Sequence, residues 1–308
     1  MVKKEKIENP RRRDFRLGDG TPVAYYPNSD IPMYEVPMTP LSPDCGYGFM
    51  KRNLINLTRK RSGLCSIVNE DALHNRVGSS AMIDYINAEQ LHGSMDKYFM
   101  YGSVNAVRSR IRKVEELTVD LAKGSFEKRG EVSIYEAGCG FIRLPLNILD
   151  SLGGELYNLN LSYVGVDKNP DVVKVASKIS EFRGASDKIR VYKGDALEEL
   201  CKLNGELDMI LVEGAMEYWS PEYRESFLEE SGKHLSEDGV LVGTSTQTIP
   251  KEGIARFLGF YFPPTSQEDF IDTFTNAGFN EPKLIKTEPP NISIGIGMKK
   301  NPAYRLSD

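Results

Sequence analysis

The spacing of apolar residues changes character along the chain. Between Ser103 and Gly124, Val104, Val107, Ile111, Val114, Leu117 and Leu121 recur at helical intervals and form one stripe. Ser103 is placed to cap that helix and Gly124 to end it. Arg108, Arg110, Arg112 and Lys113 fall on other faces, and most are read as solvated, although one could reach a carboxylate at the helix start. After Glu131, short apolar runs alternate with amphipathic segments. Val132–Glu136, Tyr163–Asp167, Ile189–Tyr192, Leu207–Val212 and Val240–Thr244 predict strands. Phe141–Leu152, Pro170–Phe182, Ala196–Leu203 and Glu222–Leu235 predict helices. The alternation predicts an α/β fold, a doubly wound and mostly parallel sheet with helices on both faces. In the tail, a helix near Gln267–Ala277 precedes K-L-I-K-T-E and N-I-S-I-G-I-G-M, whose strict alternation fits a terminal antiparallel pair.

The first part of the chain differs. Residues 1–95 are read as an N-terminal extension, partly irregular and partly helical, ahead of a domain spanning 96–308. Pro32, Pro37, Pro40 and Pro43 argue against regular structure from Val23 to Pro43. With Tyr25, Tyr26, Tyr34, Tyr47 and Phe49 interspersed, an extended segment that covers the folded body as a lid is expected, with free disorder as its rival. Leu73, Val77, Met82, Ile83 and Ile86 suit one or two helices. His74 and His92 have no second ligand at metal spacing, so no metal site is expected.

Composition narrows the function classes. In 308 residues, 40% are apolar and 27% charged, ordinary values for a globular chain long enough to bury a full core. A net charge of −5 argues against a non-specific nucleic-acid or membrane-surface binder, although Arg11–Arg13 and the run from Lys51 to Arg61 are locally basic. No run approaches the ~18 apolar residues of a membrane span. Cys45, Cys65, Cys139 and Cys201 are widely spaced with no C-x-x-C pair, which suggests a reducing, cytoplasmic setting.

Candidate chemistry concentrates where strands end. In V-S-I-Y-E-A-G-C-G-F-I-R-L, a strand runs to Glu136, Gly138 and Gly140 make a tight turn, and a helix follows. Glycines let a ligand touch backbone, and helix N–H groups favour its anionic parts. The second strand ends at Asp167, where a carboxylate can accept from a ribose diol. The third ends in G-D-A, so that Asp195 could accept from an adenine amino group. The fourth puts Glu213 beside the same cleft, with Glu217, Tyr218 and Trp219 just past it. Asp167 and Asp195 each also suit a plain helix cap. Three acidic tips on consecutive strands are harder to explain that way together.

Glu136-Ala137-Gly138-Cys139-Gly140, Gly165-Val166-Asp167, Gly194-Asp195-Ala196, the strand Leu207–Val212 and Glu237-Asp238-Gly239 resemble the successive motifs of class I S-adenosylmethionine-dependent methyltransferases. The resemblance covers about residues 98–299. It implies a seven-stranded, Rossmann-like sheet whose last strand is antiparallel, and S-adenosylmethionine as cofactor. The Gly138–Gly140 backbone, Cys139 included, would cradle the methionine end, with Glu136 near its ammonium. Asp167, with Lys168 beside it, would hold the ribose, and Asp195 and the Ala196 N–H would address adenine. Glu213 would border the cofactor. A narrower similarity of Y-F-M-Y-G-S-V-N-A-V-R-S-R-I-R-K-V to the lead-in helix of an uncharacterised subgroup would bring Tyr101 and Arg108 to the methionine carboxylate. Two positions depart from the pattern. Ile142 replaces a frequent third glycine, and Pro145 costs little only if its helix starts late.

Sulfonium methyl transfer is an in-line displacement that asks chiefly for alignment, and for a base only if the acceptor must lose a proton. Glu213, Glu217 and Tyr218 are the catalytic candidates, with Thr244 also facing the acceptor. His234 lies late in a helix, away from the tips, where it suits that helix's C-terminal carbonyls. The aromatic stretch with Phe257, Leu258, Phe260, Tyr261 and Phe262 reads equally as core or as the wall of a pocket for a small apolar or amphiphilic acceptor. Lack of an Asn-Pro-Pro-Tyr type motif weakens nucleic-acid and protein-glutamine readings. An RNA or protein methyltransferase and a non-catalytic cofactor-binding module stay open. A NAD-dependent dehydrogenase would want glycine where Arg143 stands.

Overall fold

In the computed structural model of the protein, residues 106–152, 160–247, 264–287 and 292–299 are described in full, and Asn105 and three short strands nearer the N-terminus by backbone. Those strands are β1 (Arg13–Arg16), β2 (Pro22–Tyr25) and β3 (Pro32–Tyr34), and they form an antiparallel sheet in that order. Two of them fall where proline was expected to preclude regular structure. They are three or four residues long, and Pro22 and Pro32 each stand at the first strand residue, a position that tolerates a missing N–H. The expected helices over 69–91, His74, His92 and the run from Lys51 to Arg61 lie outside the described residues, as does the aromatic stretch around Phe257.

The body begins with α1 (Asn105–Arg129). It runs past Gly124, which was expected to end it. Glycine inside a helix costs about 1 kcal/mol. Here the added turn packs Phe126 on the core and pairs Lys128 with Asp238 and Arg129 with Asp208. Gly130, at φ 74°, then ends the helix.

Next come β4 (Glu131–Ala137), α2 (Arg143–Ser151), β5 (Asn160–Asp167), α3 (Pro170–Phe182), β6 (Ile189–Lys193), α4 (Ala196–Leu200) and β7 (Leu207–Val212). After a single 3₁₀ turn at Met216–Tyr218, the chain continues through α5 (Pro221–His234), β8 (Leu235–Thr246), α6 (Gln267–Asn276), β9 (Asn280–Lys286) and β10 (Ile292–Met298). The seven strands order as β6-β5-β4-β7-β8-β10-β9. Neighbours are parallel except β10, which runs against both β8 and β9. β8 starts earlier than expected, at Leu235. Residues 207 and 209 of β7 face 235 and 240 of β8, so Glu237-Asp238-Gly239 bulges out of the strand instead of preceding it.

Strand alternation sends side chains into two cores. Val132 and Ile134 join Val114, Leu146, Val175 and Met209 under α1, α2 and α3. Tyr135 and Ala137 join Leu200, Ile210, Phe227 and Phe270 under α4, α5 and α6. The sheet is therefore the middle of three layers. No described helix is long and apolar enough to cross a membrane.

Candidate functional site

The strand order reverses at β4, flanked by β5 and β7, and in an open α/β sheet a ligand site is expected beyond the strand ends there, at the turn after β4. The Gly138 and Cys139 N–H groups both donate to the Val166 carbonyl, at 2.8 and 3.1 Å. The turn is thereby tied to the next strand. Gly138 sits at φ 72°, and a Cβ there would stand 3.1 Å from that of Ala215. Any Cβ at Gly165, directly beneath, would meet Cys139 at 2.8 Å. Ile142 keeps a glycine-like conformation, φ 55° and ψ 37°, although it is β-branched. Its fully buried side chain holds it there. α2 starts late, at Arg143, so Pro145 lies in the first turn and breaks no helical bond.

Asp167 ends β5 beside this turn. Its Oδ2 accepts the Gly140 N–H at 3.3 Å, and its Oδ1 the Asn169 N–H at 2.8 Å. It does not cap α3, because Asn169 does. Burial raises its pKa against the pull of those two N–H groups. Each oxygen keeps a further lone pair for a ligand hydroxyl.

Glu136 lies behind the turn, buried, and accepts the Tyr163 hydroxyl at 2.5 Å. Burial raises its pKa well above 4.5, the Tyr163 bond opposes that rise, and the carboxylates of Glu213 and Asp167 add to it. Cys139 is buried too, and burial pushes its thiol up.

At the tip of β7, Glu213 meets one of the four basic residues early in α1, most of which were expected to be solvated. Arg110 of α1 is only 4% exposed. Its Nε lies 3.4 Å from Glu213 Oε1 and its Nη1 3.7 Å from Glu217 Oε1. Gly214, at φ 70°, leaves room for this guanidinium, since a Cβ there would approach Nη2 to 2.9 Å. Thr246 donates to Glu217 Oε1 at 3.3 Å. Burial raises the Glu217 pKa despite Arg110. Arg110 was legible in principle. It falls three residues after Val107 and four before Val114, inside the apolar stripe, where a charge needs a partner.

Asp195 caps α4, accepting the Leu197 and Glu198 N–H groups on Oδ1 at 3.0 and 3.3 Å. The same oxygen takes the Tyr223 hydroxyl at 2.6 Å, and Oδ2 pairs with Lys168 Nζ at 3.1 Å. Burial works against its charge, but Tyr223 and Lys168 outweigh it and hold the carboxyl below 3.8. Ala196 follows as the first residue of α4.

The remaining candidates scatter. Thr244 is buried and accepts the Gly214 N–H at 2.9 Å, so it braces the β7 tip. Tyr218 is half-buried in the 3₁₀ turn. Trp219 stacks edge-on against Tyr223 at 5.1 Å. His234, the last residue of α5, contacts Glu230 Oε1 at 3.2 Å, and its partner is a carboxylate instead of the helix carbonyls. Arg108 is half-buried on α1, and Tyr101 lies outside the described residues. Among the described residues, no three His, Cys, Asp or Glu side chains group as a metal set.

No protein-family model matches the chain, and no curated protein matches it in sequence. Solved structures do. An exported protein, described only as a possible one, from Bordetella parapertussis superposes with a TM-score of 0.59 at 13% identity, over 85% of this chain and all of that one. Magnesium protoporphyrin IX methyltransferase from Synechocystis PCC 6803, solved with bound SAM, gives 0.46 at 14% identity, over 70% of this chain and 94% of that one. At such identity the first likeness speaks to fold alone, and the second is too loose to add to it. With its strand order and its antiparallel β10, the chain has the seven-stranded, Rossmann-like α/β fold that the motif resemblance implies.

Proposed function

We propose that the protein transfers a methyl group from S-adenosylmethionine to a small apolar or amphiphilic acceptor. The observation that carries this reading is the Asp167 carboxylate. It lies at the switch point with one oxygen bound to the Gly140 N–H, so one side chain joins the glycine turn to the place where a ribose would rest. The residues fit such a cofactor, because the backbone at Gly138 is bare and a Cβ would close the space toward Ala215.

In this reading the Gly138–Gly140 turn with Cys139 would support the methionine end, and Glu136, buried behind the turn and bonded to Tyr163, would brace it from beneath. Arg108 and Tyr101 would approach the methionine carboxylate. Asp167 would take the ribose side, Asp195 and Ala196 the adenine, with Lys168 paired to Asp195 at that end, and Glu213 would border the site. The cofactor supplies an electrophilic methyl group on a sulfonium. The protein aligns the acceptor with it and keeps water out. Of the two carboxylate candidates, Glu213 is the more accessible, with 15% of its side chain exposed against 3% for Glu217. That difference favours Glu213, with Tyr218, as the side that an acceptor meets. The net charge of −5 and the aromatic stretch around Phe257 support a small acceptor over RNA. We further propose that 96–308 forms the cofactor-binding domain and 1–95 an extension that covers it.

Titration calorimetry with S-adenosylmethionine, S-adenosylhomocysteine and NAD tests the reading. Binding of both sulfur compounds without binding of NAD is expected. Preferential NAD binding would sink it.

A further inference from the structure

Asp195 is more heavily engaged than a bare helix cap requires. Three donors converge on Oδ1: the Leu197 and Glu198 N–H groups and the Tyr223 hydroxyl. The Tyr223 hydroxyl also accepts the Leu197 N–H at 3.1 Å, so the ring oxygen is itself locked to the start of α4. Trp219 packs edge-on against that ring at 5.1 Å and Phe227 backs Trp219 at 4.9 Å, which fixes the tyrosine from behind. With Oδ1 saturated and clamped, the carboxylate is held about its own side-chain axis and only Oδ2 can turn to a ligand.

Oδ2 is covered by one group alone among the contacts described, the Lys168 ammonium at 3.1 Å, which also rests 5.6 Å above the Tyr223 ring. Lys168 has 71% of its side chain exposed and directly follows Asp167. An exposed pair of this kind is weak and readily exchanged. The oxygen that could accept from a base is thus present, oriented and loosely occupied.

We propose that Tyr223 is the positioning residue of the base subsite, and that Lys168 is a displaceable cover that yields Asp195 Oδ2 to the exocyclic amino group of an adenine. The inference rests on the cofactor reading above. It gives the two neighbours of Asp195 effects of opposite sign. Removing Tyr223's hydroxyl frees the carboxylate to rotate and blunts its reading of the amino group. Removing the Lys168 ammonium spares the ligand a competitor.

The test is calorimetric binding of S-adenosylhomocysteine and of S-inosylhomocysteine, whose 6-oxo group cannot donate, to wild type, Tyr223→Phe and Lys168→Met. Wild type is expected to favour the adenine compound by roughly tenfold or more, the scale of one hydrogen bond to a charged acceptor. Tyr223→Phe should lower that preference to about threefold or less, with affinity for the inosine compound nearly unchanged. Lys168→Met should tighten adenine binding by up to about fivefold, the scale of an exposed ion pair. Equal loss of both compounds in Tyr223→Phe, or weaker adenine binding in Lys168→Met, would overturn the proposal. If wild type binds neither compound, the cofactor reading itself fails and takes this inference with it. If wild type binds both but the variants leave their ratio and affinities unmoved, only this inference falls.

Discussion

Asp167 ties two loops together, and in the proposed function the same carboxylate would also hold the ribose. Its oxygens hold the Gly140 and Asn169 N–H groups, which binds the glycine turn to the loop after β5. Asp167→Ala is expected to weaken S-adenosylmethionine binding by roughly 1–3 kcal/mol, through lost ribose contacts and a loosened turn. Calorimetry on a variant with unchanged circular dichroism checks this, and wild-type affinity would return Asp167 to a purely structural role. Glu136 makes a different demand. Burial keeps it protonated in the fold well above 4.5, while the unfolded chain releases that proton near 4.5. Between those values the folded state binds more protons, so stability from this group falls as pH rises. The thermal midpoint of Glu136→Gln should therefore gain on wild type as pH climbs from about 4.5, with the gap smallest in acid. Melting curves across pH read this directly, and a constant gap would mean that Glu136 titrates normally.

At the scale of elements, α1 is held by charge as well as by its apolar stripe. Arg110 reaches Glu213 and Glu217 from the buried face of the helix, and both carboxylates lie around the end of β7. Removing the arginine leaves them facing each other without their cation. Arg110→Met should cost about 3–5 kcal/mol in chemical denaturation. Adding Glu213→Gln and Glu217→Gln should restore a good part of that, because the charges left stranded are then gone. Failure of the triple variant to recover would mean that packing, not charge, is what Arg110 supplies. The other end of the sheet is built by close approach. A Cβ at Gly297 of β10 would stand 2.6 Å from Phe274 and 2.8 Å from Phe279, both buried. Gly297→Ala should therefore destabilise by about 1–3 kcal/mol as the rings are forced aside, measurable as a lower denaturation midpoint. Retained stability would mean that α6 shifts without cost.

For the whole molecule, what the sequence made legible follows from period. Buried parallel strands and amphipathic helices stamp their spacing on the chain, so the strands from β4 to β7 fall within a few residues of their predicted ranges. So do α2, α3 and the antiparallel end. Where tertiary contacts overrode local propensity, the reading failed. Gly124 lies inside α1 because Phe126 and Arg129 find partners beyond it, and β8 begins at Leu235, ahead of a bulge, instead of at Val240. At the strand ends, backbone geometry was legible, as in the turn at Gly138 and the acidic tips at Asp167 and Asp195. The candidate site was hidden where side chains meet across distant segments, as Tyr163 does Glu136, Tyr223 does Asp195 and Arg110 does Glu213. If 1–95 covers a domain formed by 96–308, a chain shortened to 96–308 should keep cofactor affinity within about threefold. It should also raise KM for an acceptor. Lost cofactor binding would show that the extension is part of the domain. The Arg110 contacts also carry a consequence for the order of events at the ribosome. About a hundred residues separate Arg110 from Glu213. At roughly 5–20 residues per second, the helix emerges some 5–20 seconds before its counter-charges exist. During that interval the guanidinium of α1 has no counter-charge, and this part of the helix's anchorage can form only once the end of β7 has been made.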